Sequence, residues 1–95
     1  PLASYRVADF KALEAEYPAI IVDVRDPIEV AATSLPGTLN MHVSTVIEWA
    51  DSIPEGEVWV HCASGLRGLV ASSLLQRQGR DVVAVVGDLG RHLGG

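Results

Sequence analysis

Cys62 is the chain's only cysteine, and it stands where an apolar run, Val58-Trp59-Val60-His61, gives way to Ala63-Ser64-Gly65-Leu66-Arg67-Gly68 and then to a helical pattern. A cysteine at a strand-to-helix junction meets three effects at once. The free amides of a helix start carry positive partial charge. A tight loop can aim several N–H groups into one concavity, a nest for an anion. Arg67 adds a permanent cation with several donors. Each favours the thiolate, the form of cysteine that acts as a nucleophile. A cysteine that only fills a core gains nothing from such a loop, and Gly65 and Gly68 are the residues a close main-chain approach needs. The expectation is covalent chemistry at Cys62, inside a cradle of main-chain N–H groups from Ala63, Ser64, Gly65, Leu66, Arg67 and Gly68.

The elements that would position this loop are legible in order. Ser4 to Val7 reads as a short edge strand, and Asp9 to Glu16 as a helix with Phe10, Leu13 and Tyr17 on one face; Pro18 ends it. Ala19 to Val24 is an apolar, β-branched run suited to a strand buried on both faces. Asp26-Pro27-Ile28-Glu29 then carries a capping residue, a proline at the first helical position and a capping-box carboxylate, opening a short helix that ends near Ala32. Pro36-Gly37 is a turn, and Leu39 to Val43 a further short strand. Ser44 can cap a helix from Thr45 to Ser52 whose Val46, Trp49, Ala50 and Ile53 form a core stripe. Glu57 to His61 is the central strand. Leu66 to Gln78 is the helix behind the loop, with Leu66, Leu69, Val70 and Leu74 facing inward, Ala71, Ser72 and Ser73 permitting close packing, and Gly79 just past its end. Val82 to Val86 is a last strand, broken by Gly87-Asp88-Leu89-Gly90. Alternating strands and helices predict an α/β fold, one domain over 1–95 with a small, mainly parallel five-stranded sheet and helices on both faces.

Asp23 and Arg25 fall at the carboxyl end of a strand, the edge where open α/β sheets bind ligands. They either line the Cys62 pocket or hold that corner together, Asp23 capping amides and Arg25 pairing with a carboxylate. Arg67 either touches a bound anion or pins the loop to Asp23 or Glu29. His61 is adjacent to Cys62, but neighbouring strand residues point to opposite faces, so packing behind the loop competes with a role as base. His42 reads as structural, Trp49 as packing and His92 as an exposed residue of the tail.

Composition narrows the function. The 95 residues include 48% apolar ones and carry a net charge of −5 with a single lysine, Lys11. That disfavours a nucleic-acid or anionic-membrane partner. No apolar run has the length of a membrane span, and no signal-peptide pattern opens the chain. One cysteine cannot form an internal disulfide or supply a resolving thiol, which fits a reducing compartment, the cytoplasm. No metal or cofactor site is read from the sequence. The start at Pro1 and the stop at Gly94-Gly95 suggest a processed form or a module of something longer.

The stretch Cys62-Ala63-Ser64-Gly65-Leu66-Arg67 resembles the Cys-x-x-Gly-x-Arg loop of the rhodanese-like family. Asp23-Val24-Arg25-Asp26-Pro27-Ile28-Glu29-Val30-Ala31-Ala32 resembles the family's upstream signature. Leu35-Pro36-Gly37-Thr38-Leu39-Asn40 resembles its next one, with Thr33-Ser34 replacing the usual Gly-His. The run Val58 to Gly65 also looks like modules fused behind a metallo-β-lactamase-like domain. The resemblance implies a rhodanese-like fold and sulfur transfer: Cys62 takes sulfur from thiosulfate or a thiol persulfide, becomes a persulfide, and passes the sulfur to a thiol or cyanide, with no cofactor. It also implies a fused or associated enzyme of sulfur metabolism as a possible partner, the chain then being a carrier or binding module. The family's usual glycine pair and aromatic-bearing last helix are missing, so apolar surface is exposed there or covered by a partner domain. Cysteine phosphatases and arsenate reductases share the Cys-loop-Arg plan but place five residues between Cys and Arg, where this chain has four. A smaller ring fits a sulfur atom better than a tetrahedral oxyanion. Leu66 stands where a charged side chain would favour small anions, pointing to a larger or less charged donor such as a low-molecular-weight persulfide.

Overall fold

The computed structural model describes residues 5–18 and 20–94. In chain order the elements are β1 (Arg6–Asp9), α1 (Phe10–Glu16), β2 (Ile21–Asp23), α2 (Pro27–Ala32), β3 (Leu39–Asn40), a 3₁₀ turn at Ala50–Ser52, β4 (Val58–His61), α3 (Leu66–Arg77), β5 (Val82–Val86) and α4 (Leu89–Gly94). The five strands form one sheet in the order β1-β5-β4-β2-β3, and every pairing is parallel. Ser4 and Ala19, expected in strands, lie outside the described residues.

Side-chain alternation splits the sheet residues between two cores. On one face Val22, Val24, Val58, Val60, Cys62 and Val82 pack with Ala71 and Leu75 of α3 and with Val46, Ala50 and Ile53. On the other, Ile21, Trp59, Val83 and Val85 pack with Phe10 and Leu13 of α1, Leu35 and Leu89 of α4. β4 is buried along its whole length, as a strand flanked on both sides and covered on both faces must be.

Local chemistry sets the helix ends. Asp9 caps α1 by accepting from the Ala12 N–H at 2.8 Å. Tyr17 closes α1 in the left-handed region, and its hydroxyl donates to the Pro36 carbonyl, so it caps the helix from a half-exposed position and does not join Phe10 and Leu13 inside. α3 ends in a Schellman motif: Arg80 N–H reaches Leu75 O, Gly79 N–H reaches Gln76 O, and Gly79 takes φ +87°.

Three expectations are corrected. Thr45–Ser52 is not a helix but a series of turns ending in the 3₁₀ segment; Val46, Ala50 and Ile53 are buried, whereas Trp49 is 57% exposed. Burying three side chains at that spacing needs only a compact turn, not a full hydrogen-bonded helix. β3 is two residues long, although its ladder continues as Met41 and Val43 N–H groups bond to Asp23 and Val24 carbonyls. The inward face of α3 is Gly68, Ala71, Ser72 and Leu75, while Leu66 is 71% and Val70 48% exposed. The helix crosses the end of β4 so closely that a Cβ on Gly68 would lie 3.6 Å from main-chain atoms of His61 and Cys62. Leu75 is buried beside these small residues and Leu74 packs against the same core, whereas Leu66 and Val70 are turned outward.

Candidate active site

β4 is the middle strand of the sheet and ends at His61, so Cys62 leaves from the centre of its carboxyl edge. The chain then turns sharply through Gly65, which holds φ +108° as the N-cap of α3. That geometry points the N–H groups of Gly65 and Gly68 at the Cys62 sulfur, at 3.0 and 3.2 Å. Both donors stabilise negative charge on Sγ. Leu66 and Arg67 occupy the first turn of α3, where the helix itself offers their N–H groups no carbonyl. Ser64 is exposed to solvent, and Ala63 is half-buried. The Cys62 residue is only 1% exposed and its side chain belongs to the α3-side core. The sulfur is thus recessed beneath the loop.

Arg67 reaches across to α2. Its Nη1 and Nη2 donate to Glu29 Oε1 and Oε2 at 2.6 and 3.0 Å, a two-pronged pair between the starts of two helices. The guanidinium, together with the Asp26 N–H that also donates to Glu29, holds the carboxyl down to about 2, and Arg67 is raised in turn. Of the two carboxylates open to Arg67, Glu29 is the one it meets.

Asp23 and Arg25 hold the neighbouring corner. Arg25 donates through Nε and Nη2 to the Asp23 carboxylate at 2.7–3.1 Å and through Nη2 to the Thr33 carbonyl at 2.7 Å. Both side chains are buried. Asn40 fastens the same corner, its Nδ2 donating to the Asp23 and Arg25 carbonyls. Sequence reasoning passed over Asn40; an amide side chain at the carboxyl end of a short edge strand was the available signal.

His61 is fully buried on the opposite face from Cys62. Phe10 meets its ring edge-on at 5.6 Å, and Asp23 Oδ2 lies 3.8 Å from Nε2. Neither ring nitrogen has a hydrogen-bond partner among the described residues, and burial pushes the imidazole below its ordinary value, towards the neutral form. His61 therefore packs behind the loop, and its ring makes no hydrogen bond to the Cys62 sulfur. His92 is not exposed as expected: it stacks on Phe10 at 5.3 Å and meets Glu14 at 3.1 Å. His42 is structural, held between Asp26 at 2.8 Å and Ser44 at 2.7 Å. Trp49 lies over an open groove lined also by Pro27, Met41 and His42. A further tie comes from beyond β5, where Leu89 N–H donates to the Ala63 carbonyl at 2.8 Å.

Among the described residues, no group of three or more His, Cys, Asp and Glu is placed to hold a metal ion, and no helix is long and apolar enough to cross a membrane.

The comparisons agree with this architecture. A rhodanese-related protein from Thermoplasma volcanium superposes with a TM-score of 0.86 at 26% identity, over 95% of this chain and 92% of that one. The human single-domain sulfurtransferase TSTD1 gives 0.66 at 29% identity over 82% of each chain. A Rhodopseudomonas palustris protein of unknown function, described as a possible tyrosine phosphatase, gives 0.79 at 26% identity over 96% of this chain and 83% of that one. No curated protein matches. The family description "Rhodanese-like domain" matches residues 6–89, which span all five strands and the whole Cys62 loop. A parallel sheet in this order, carrying a cysteine loop at the end of its middle strand, thus belongs to the rhodanese-like domain family.

Proposed function

We propose that this protein is a sulfurtransferase that moves a sulfane sulfur through a persulfide on Cys62. The observation that carries the reading is the pair of main-chain N–H groups, Gly65 and Gly68, aimed at Sγ. In the first half-reaction the Cys62 thiolate attacks the outer sulfur of a donor, thiosulfate or a thiol persulfide. The donor's S–S bond breaks, and its electron pair leaves with sulfite or with a thiolate. In the second, a thiolate or cyanide attacks the outer sulfur of the Cys62 persulfide, and the Cys62 thiolate departs. Two displacements in series give ping-pong kinetics.

The chain's own groups do three things. The Gly65 and Gly68 amides stabilise the sulfur when it is anionic, and the first-turn amides of Leu66 and Arg67 are available to a second sulfur atom. Arg67, tied to Glu29, keeps the loop from relaxing, and Asp23 with Arg25 keeps the adjoining corner in place. The burial of Cys62 shields its sulfur from bulk solvent and bulky electrophiles. The thiol acceptor is a small molecule or a partner enzyme of sulfur metabolism, in a reducing compartment such as the cytoplasm. No nucleic acid or membrane takes part.

Intact-mass measurement after incubation with thiosulfate or a persulfide tests this. The protein gains one sulfur, cyanide removes it, and Cys62→Ser gains none. Aryl-phosphate hydrolysis dependent on Cys62, with no sulfur gain, would replace the reading with the phosphatase one.

A further inference from the structure

We infer that the groove beside Trp49 is a docking surface for a partner protein, and that its occupant is a basic segment that lays an arginine on the indole. The inference stands whether or not Cys62 carries sulfur. Its first ground is an opening in the surface. A groove of about 370 Å³ lies among Pro27 at the start of α2, Met41 and His42 just past β3, and Trp49 and Ser52. That is room for a few side chains. Trp49 is 57% exposed, yet its main chain is pinned. Its N–H reaches the Thr45 carbonyl at 3.2 Å, and its own carbonyl accepts from the Ser52 N–H and hydroxyl at 2.9 and 2.6 Å. Val46, Ala50 and Ile53 around it are buried, and Arg80 donates to the Ala50 and Ile53 carbonyls at 3.1 and 3.3 Å. A fixed base thus holds a large aromatic ring in water. Tryptophan is among the residues that most often anchor an interface, and an ordered base lowers the entropic cost of binding.

The second ground is charge, and it selects the occupant. Residues 26–66 hold six carboxylates, Asp26, Glu29, Glu48, Asp51, Glu55 and Glu57, and no lysine or arginine. Glu48 and Asp51 stand on either side of Trp49 in the chain, and both are exposed. Among the described residues, Glu48, Asp51 and Glu55 have no ion-pair partner. Asp26, with its side chain 59% exposed, meets His42 on the groove wall. The cations that reach this region from elsewhere are already engaged. Arg67 holds Glu29, Arg6 holds Glu57, and Arg80 is spent on the Ala50, Ile53 and Pro54 carbonyls. An exposed indole in a segment of uncompensated negative charge is complementary to a guanidinium, which offers a cation to the carboxylates and a flat face to the ring. A second copy of this chain would set one acidic face against another, and a nucleic acid or an anionic lipid surface would be repelled.

The test titrates the chain into a dye-labelled short peptide of alternating arginine and leucine and reads anisotropy. The same peptide with citrulline in place of arginine is the neutral control, and arginine amide is the small-molecule competitor. The arginine peptide binds at least about tenfold more tightly than the citrulline one. Trp49→Ala weakens it by about tenfold or more. Trp49→Phe, which keeps an aromatic face, weakens it by less than about threefold. Glu48→Gln with Asp51→Asn weakens the arginine peptide by about fivefold and leaves the citrulline peptide unmoved. All these positions are at the surface, and urea unfolding confirms that each variant folds. No binding of the arginine peptide at about 1 mM, equal binding of the two peptides, or binding unmoved by Trp49→Ala overturns the inference. So does arginine amide binding as tightly as the peptide, which would make the groove a small-molecule site. Self-association that Trp49→Ala abolishes overturns it in favour of a second copy.

Discussion

Two residues in sequence, His61 and Cys62, end β4 on opposite faces of the sheet and meet opposite surroundings. Cys62 is buried and receives two main-chain donors from the loop that follows it. His61 is just as buried and receives none; it has Phe10 against its ring and the Asp23–Arg25 pair alongside. The front of the strand end is built to hold a negative charge. The back is built to hold the imidazole neutral and still. The difference shows why adjacency in sequence does not make His61 the base for Cys62: strand geometry puts a sheet between them.

The largest expected effect breaks the back wall. Asp23→Ala strands the Arg25 guanidinium in the interior and should cost about 3–5 kcal/mol, as loss of one partner of a buried ion pair does. That is a large fraction of the roughly 5–15 kcal/mol a domain possesses. Urea unfolding reads it, and a loss under about 1 kcal/mol would mean that the pair is not structural.

Next comes the front. Gly65→Ala has space, since its Cβ would stand 3.5 Å from Val86 Cα, but φ +108° is costly for any residue with a side chain. We expect about 1–2 kcal/mol of destabilisation. Sulfur loading should fall further than stability does, because the Gly65 N–H swings off Sγ. Equal loading rates would show that this donor is dispensable.

The smallest effect sharpens the contrast. His61→Leu removes a buried ring with two unpartnered nitrogens and should stabilise the protein by about 1 kcal/mol near neutrality. The gain grows in acid. Below the unfolded value of 6.5 the unfolded chain binds a proton that the folded His61, pushed lower by burial, does not take up. Wild-type stability therefore falls as pH drops below 6.5 towards the folded value, and the variant loses that component. Loading of Cys62 should be unchanged; a large drop would make His61 part of the chemistry.

The strand-loop-helix unit around Cys62 was legible because each part has its own local cause: a β-branched run, a glycine at the turn and a periodic helix behind. The Asp26-Pro27-Ile28-Glu29 helix start was legible for the same reason. The partner of Arg67 was not settled by the sequence, since Glu29 lies 38 positions away and only the fold brings the two helix starts together. The inward face of α3 was read correctly where Ala71 and Ser72 were expected to permit close packing, and misread where Leu66 and Val70 were placed inside on hydrophobicity alone. At a close crossing, Gly68, Ala71 and Ser72 belong inside and Leu66 outside. The 45–52 segment was misread because three buried side chains at helical spacing do not require helical hydrogen bonds.

The Leu89–Ala63 bond has a mechanical meaning. Ala63 is the first residue after the nucleophile, and its carbonyl is tethered to the opening turn of α4. Displacing that last helix pulls on the peptide next to the sulfur, so a molecule that grips α4 would hold a lever on the reacting atom without entering its recess.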